Sequence, residues 1–196
     1  MINAIIMASG NSKRMGINKL LLQYKDKTLI EYVLENVIKC DFYSTVLVSQ
    51  YEKVLSLGRE RVMEVVHNYN PEKGQSESIK LGIRNSPKAQ GYMFFTGDQP
   101  LMDVETIKLL MDSFNESGNL IIVPRYNEKR GNPVIFPRKY IEELLELQGD
   151  SGGRSIINKH LDEVKFLQVK HEWLLDDIDR SEDYQKLLAR RINTIL

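Results

Sequence analysis

Strand-like and helix-like segments alternate along this 196-residue chain, which predicts a parallel α/β fold. Two apolar runs carry the prediction. Ala4-Ile5-Ile6-Met7-Ala8 breaks straight into a glycine-containing basic loop, as a parallel strand does where it delivers a turn at its carboxyl end. Tyr92-Met-Phe-Phe-Thr96 stops as abruptly at Gly97-Asp98.

The elements follow in order. Residues 3–8 read as the first strand. Thr28 and Glu31 form a capping-box pattern that satisfies free amides and opens a helix. Its Leu29, Ile30, Val33, Leu34, Val37 and Ile38 share one face. Residues 45–49 and 64–67 read as short buried strands, and a helix over 76–84 follows the Gly74 turn. After the 92–96 strand, Asp103 caps a helix that turns Ile107, Leu110, Met111 and Phe114 inward. Residues 120–123 form a strand closed by Pro124, and 132–136 a strand after a turn. Ile141, Leu144 and Leu145 mark the next helix; the glycine-dense loop 149–153 leads into a short one from Ser155. Residues 164–169 alternate weakly, as an edge strand does, and Ser181 caps a last helix burying Tyr184, Leu187, Leu188 and Ile192. No repeat or linker interrupts the series, so one domain over 1–196 is expected.

Composition narrows the function. Hydrophobic residues make up 42% and charged residues 28%, an ordinary globular balance. The 27 basic and 27 acidic side chains cancel, so no global field draws nucleic acid or an anionic membrane. Cys40 is the only cysteine, which excludes internal disulfides and Cys-based zinc sites and suits a reducing compartment. The amino terminus lacks a basic stretch, and no run approaches the ~18 apolar residues of a membrane span. The chain reads as cytoplasmic.

The first loop, Ser9-Gly10-Asn11-Ser12-Lys13-Arg14-Met15-Gly16 with Lys19 beyond, reads as a phosphate grip. Gly10 and Gly16 let amide N–H groups turn toward an anion, while Arg14 adds a charged fork and Lys19 a point charge. Five residues separate the glycines and Leu20 follows Lys19, so this is not a Walker A loop; Ser12 occupies the place a dinucleotide fingerprint gives to glycine. Asp98, where an apolar strand meets the ligand edge, suits a hard cation shared with substrate phosphates. Gly-Asp-Gln-Pro equally suits a plain turn. Asp177 and Asp179 precede the last helix at the same edge. His67, His160 and His171 are scattered without ligand spacing, Trp173 reads as packing, and the charges in 59–64 and 186–191 as solvated helix faces.

These motifs, taken in order, resemble the molybdenum cofactor nucleotidyltransferases. The likeness runs from residues 7–22 through Asn70-Pro71, residues 74–78, Gly97-Asp98-Gln99-Pro100, Pro124-Arg125-Tyr126 and residues 130–134. It continues through Gly149-Asp150-Ser151-Gly152-Gly153-Arg154 to Asp177-Ile178-Asp179 and Glu182-Asp183-Tyr184. It is most similar to the cytidylyltransferase branch. The resemblance implies a Rossmann-like nucleotidyltransferase fold with a mostly parallel central sheet and helices on both faces. It implies transfer of CMP from CTP to molybdopterin-bound molybdenum, with a molybdenum hydroxylase or its chaperone as receiving partner. Ala8, Ser9, Gly10, Arg14 and Lys19 would hold the triphosphate, and Gly74, Gln75, Ser76 and Ser78 would face the base. Ser76 is equally suited to a helix N-cap. Arg130 and Arg154 would line the acceptor side. Asp98 and Asp179 would hold Mg²⁺, with Mn²⁺ as the other candidate. Ser9 stands where the family carries Ala or Gly, Gly153 where Ala is common, and Arg180-Ser181 in place of Thr-Pro. GTP or a sugar or alditol phosphate acceptor is the alternative chemistry, and a non-catalytic cofactor carrier the alternative class.

Overall fold

The structure, a computed structural model, describes residues 1–12 and 14–190. Its elements are β1 (Ile2–Met7), β2 (Gln23–Tyr24), β3 (Lys27–Thr28), α1 (Leu29–Ile38), β4 (Ser44–Ser49), α2 (Glu52–Glu60), β5 (Glu64–His67) and α3 (Gln75–Arg84). Then come β6 (Gly91–Thr96), α4 (Val104–Ser117), β7 (Ile121–Tyr126), β8 (Lys129–Arg130), β9 (Val134–Pro137), α5 (Ile141–Glu146), α6 (Arg154–Lys159), β10 (Val164–Gln168) and α7 (Ser181–Arg190). β2 and β3 form a separate small hairpin.

The main sheet runs β10-β7-β9-β6-β1-β4-β5, with β8 attached to β7. β1 lies parallel to both β4 and β6, whereas β9 runs antiparallel between β6 and β7. Along β1 the side chains alternate between faces. Ala4 and Ile6 pack with Leu34 of α1 and Leu110 of α4, while Ile5 packs with Ile79 of α3 and Leu144 of α5. Both sheet faces are therefore covered, which is why β1 and β6 read as continuous apolar runs. The chain steps from β1 to β4 and β5 on one side, then returns to β6 on the other. The carboxyl ends of β1 and β6 thus flank a topological switch point, where open α/β sheets place their ligands.

Local signals act as their chemistry requires. The Thr28 N–H donates to Glu31 Oε2 at 2.9 Å, and Asp103 accepts from the Thr106 N–H at 2.7 Å. Four expectations change. Pro124 does not close its strand: β7 runs on to Tyr126, because β7 and β9 pair only at Ile122 and Ile135, so the missing N–H breaks no ladder bond there. Ser181 is the first helical residue rather than the cap; the Asp183 carboxylate reaches back to accept from the Arg180 N–H at 2.9 Å. Arg61 is not a solvated charge, since it bonds Glu31 at 3.1 Å and Glu35 at 3.4 Å and ties α2 to α1. Gly10 does not use a left-handed backbone; Ser12 (φ 47°) and Gly16 (φ 68°) do. Ile192 and Lys13 lie outside the described residues.

Candidate active site

The loop after β1 bends back over the sheet end, and a short 3₁₀ turn at Lys19–Leu21 brings Lys19 into the interior. Lys19 Nζ lies 2.6 Å from Asp98 Oδ2 and 2.6 Å from Asp179 Oδ1. Arg14 reaches Asp179 Oδ2 at 3.5 Å from a largely exposed position. Residues 160 apart in sequence, Lys19 and Asp179, thus meet at one ammonium. The Ile178 N–H donates to the Asp98 carbonyl at 3.0 Å, which holds the Asp177–Asp179 segment against the β6 end. Asp183 steadies the same segment from α7, accepting from the Asp179 N–H at 3.2 Å.

Electrostatics follow from that packing. Burial works against the Lys19 ammonium, but Asp98 and Asp179 more than offset it, so its pKa sits above the ordinary lysine value. The hydrogen bond from Lys19 holds Asp179 below the usual carboxylate range, against the effect of burial. Asp177 goes the other way: crowding by the protein, then the charges of Asp98 and Asp179, push it up. Its side chain remains open to solvent, and water moderates that push.

A cleft of about 460 Å³ lies over this cluster, lined by Ala8, Ser9, Gly10, Arg14, Lys19, Gly74, Gln75, Ser78, Asp98 and Asp179 among others. A second cavity of about 390 Å³ carries Arg130, Arg154 and Asp177, and shares Met7, Gln75 and Asp150 with the first. Arg130 donates to Asn158 at 3.1 Å and lies over the Phe166 ring. Ser76 stands apart from the rest. It is not the N-cap either: Gly74 takes that place, and the Ser76 hydroxyl, within the first turn of α3, donates to the Lys73 carbonyl at 3.3 Å and lines neither cavity. Gly74 lines the first cleft, next to the shared Gln75. It adopts φ 78°, and a Cβ there would lie 2.5 Å from Gly149 carbon, so only glycine lets these loops touch.

Gln99 and Asp150 line the cavities without having been singled out by residue type, and Asp177 was placed at the ligand edge without a ligand role of its own. Asp177 was visible as the first aspartate of Asp-Ile-Asp, but nothing in that spacing says it faces the cavity with Arg130. The carboxylate geometry fits a divalent cation. Two carboxylates converge on one cationic position, and the buried Asp98 Oδ1 has no hydrogen-bond partner. Among the described residues no three His, Cys, Asp or Glu cluster as a metal cage. Two carboxylates with remaining ligands from phosphate is how Mg²⁺ is usually bound.

Residues 4–164 match the MobA-like NTP transferase domain. The chain belongs to that family. It is 28% identical over 178 residues to a probable molybdenum cofactor guanylyltransferase of Methanosarcina mazei, covering 85% of this chain and 78% of the relative. It is 22% identical over 191 residues to the molybdenum cofactor cytidylyltransferase of Escherichia coli, covering 93% of each. The crystal structure of a manganese complex of Rv0371c from Mycobacterium tuberculosis superposes with a TM-score of 0.80 at 26% identity, covering 96% of this chain and 98% of that one. The mixed α/β architecture with a mostly parallel sheet is that of the nucleotidyltransferases.

Proposed function

We propose that this chain transfers CMP from CTP to molybdopterin-bound molybdenum cofactor and releases pyrophosphate. The observation that carries the reading is the convergence of Asp98, Asp179, Lys19 and Arg14 at the β1–β6 switch point. Relatives named for nucleotidyl transfer to molybdenum cofactor support the acceptor class. The pterin phosphate attacks the α-phosphorus of CTP in line, and the bond to the β-phosphate breaks, leaving pyrophosphate. A phosphate nucleophile is already ionised near neutral pH, so the chain supplies no base; its work is placement and charge neutralisation. Asp98 and Asp179 would hold Mg²⁺ or Mn²⁺, which neutralises phosphate charge when bound. Lys19 and Arg14 receive the charge that flows onto pyrophosphate. Ala8, Ser9 and Gly10 cradle the triphosphate. Gly74, Gln75 and Ser78 face the base, and Arg130 and Arg154 take the acceptor. The product then passes to a receiving molybdenum hydroxylase or its chaperone.

The second reading is the same transfer from GTP, favoured by the guanylyltransferase name of the Methanosarcina relative. Pyrophosphate release, followed with each of four NTPs, with and without molybdopterin-bound molybdenum, tests both. Cofactor-dependent release from CTP is expected; release from GTP alone favours the second reading, and release from neither overturns both. Asp98→Ala is expected to keep its fold and lose at least about 100-fold in rate. Undiminished cofactor maturation by that variant would make the chain a carrier.

A further inference from the structure

Three consecutive side chains at the end of β4 hold three consecutive carbonyls of the β1 loop. Ser49 Oγ donates to the Ala8 carbonyl at 2.8 Å, Gln50 Nε2 to the Ser9 carbonyl at 2.7 Å, and Tyr51 OH to the Gly10 carbonyl at 3.0 Å. In an extended strand, successive carbonyls point to opposite edges. Here they are drawn in sequence toward one side, so the strand alternation ends where these donors take over. In a trans peptide the N–H points opposite to the carbonyl of the same plane. The paired N–H groups of Ser9, Gly10 and Asn11 therefore turn away from the β4 end, on the loop that walls the cleft beside Lys19 and Asp98. A run of N–H groups facing one way is an anion-binding concavity.

From this geometry we infer that Gln50 and Tyr51 are positioning residues that preorganise the triphosphate-binding backbone. Ser49 is the structural member: it is fully buried and also accepts from the Tyr51 N–H at 3.1 Å. Gln50 and Tyr51 are partly open, and their side chains serve the loop; Gln50 also donates to Asn11 Oδ1 at 2.7 Å. Neither residue touches phosphate in this scheme. They act by fixing peptide planes before ligand arrives, which lowers the ordering cost of binding. The inference rests on the proposed function, because it assumes that the loop receives phosphates.

The test uses Gln50→Met and Tyr51→Phe, singly and together, with inorganic pyrophosphate as probe. Calorimetry is expected to give roughly three- to tenfold weaker pyrophosphate binding for each variant, with little change in thermal midpoint. Amide resonances of Ser9, Gly10 and Asn11, which shift on pyrophosphate binding to the unsubstituted protein, are expected to shift less in the double variant. Unchanged pyrophosphate affinity in the double variant overturns the inference while leaving the functional reading intact. A loss of affinity matched by unfolding of the variants also overturns it, since the contacts would then be merely structural. Failure of the unsubstituted protein to bind pyrophosphate or CTP sinks the functional reading, and this inference with it.

Discussion

Lys19 is nearly buried, and two carboxylates share its ammonium. Removing it leaves like charges facing each other across a half-buried space, with Asp177 close by. Lys19→Met is expected to cost about 2–3 kcal/mol, less than breaking a fully buried pair because Asp179 is partly exposed. Thermal melts in chelator would show this as a drop of roughly 5–10 °C. Added Mn²⁺ should raise the midpoint of the variant more than that of the unsubstituted protein, because the ion then meets carboxylates without a competing cation. Equal shifts would argue that the carboxylates do not form a cation site. Asp177 makes a pH prediction. Its carboxyl is raised from 3.8 toward about 7, so the folded state holds its proton more tightly than the unfolded chain. That contribution is complete below pH 3.8 and is lost as pH rises toward about 7. Asp177→Asn in chelator should therefore gain stability relative to the unsubstituted protein over that window, and a pH-independent difference would refute it.

At the level of elements, most strands and helices were legible because their chemistry is local. The capping box at Thr28, the Asp103 cap and the apolar stripes on α1 and α4 need only near neighbours to be read. α2 was harder to see: few apolar residues mark it, and its end is unusual. Val62, 93% exposed, takes φ 58° just beyond that helix, where its N–H donates to the Arg59 carbonyl at 3.0 Å. A β-branched residue in the left-handed region is strained, and no burial compensates here. Val62→Gly is expected to stabilise by about 1 kcal/mol, read as a rise of roughly 2–4 °C in thermal midpoint. A fall would mean that the chain-entropy cost of glycine outweighs the relieved strain.

Across the whole molecule, the cleft draws together the β1 loop, the β6 end, the start of α3 and the segment before α7. No helix among the described residues is long and apolar enough to cross a membrane. A triphosphate bound there as proposed would touch all four regions and so stabilise only the folded chain. At a free concentration near 100 times its Kd, CTP with Mn²⁺ should add about 2.7 kcal/mol, roughly 5–10 °C in a melt. Pyrophosphate should reproduce part of that shift and a nucleoside little of it, because under the proposed function the charged groups of this cleft, Lys19, Arg14, Asp98 and Asp179, serve the phosphates rather than the base. A nucleoside as effective as the triphosphate would place the binding energy elsewhere.

Residue order alone was enough to set the alternation of elements, the basic loop after the first strand and the two aspartates that close the series. Periodicity, caps and turn chemistry act over a few positions, so they are written in the chain. Folding in three dimensions settled the rest. The meeting of Asp179 with Lys19, the face Asp177 presents, the retreat of Ser76 to its own helix start and the grip of Gln50 and Tyr51 on the loop all join residues through contacts that no spacing encodes. Such contacts depend on strand order and on which way each peptide plane turns, and these emerge only when the whole sheet packs.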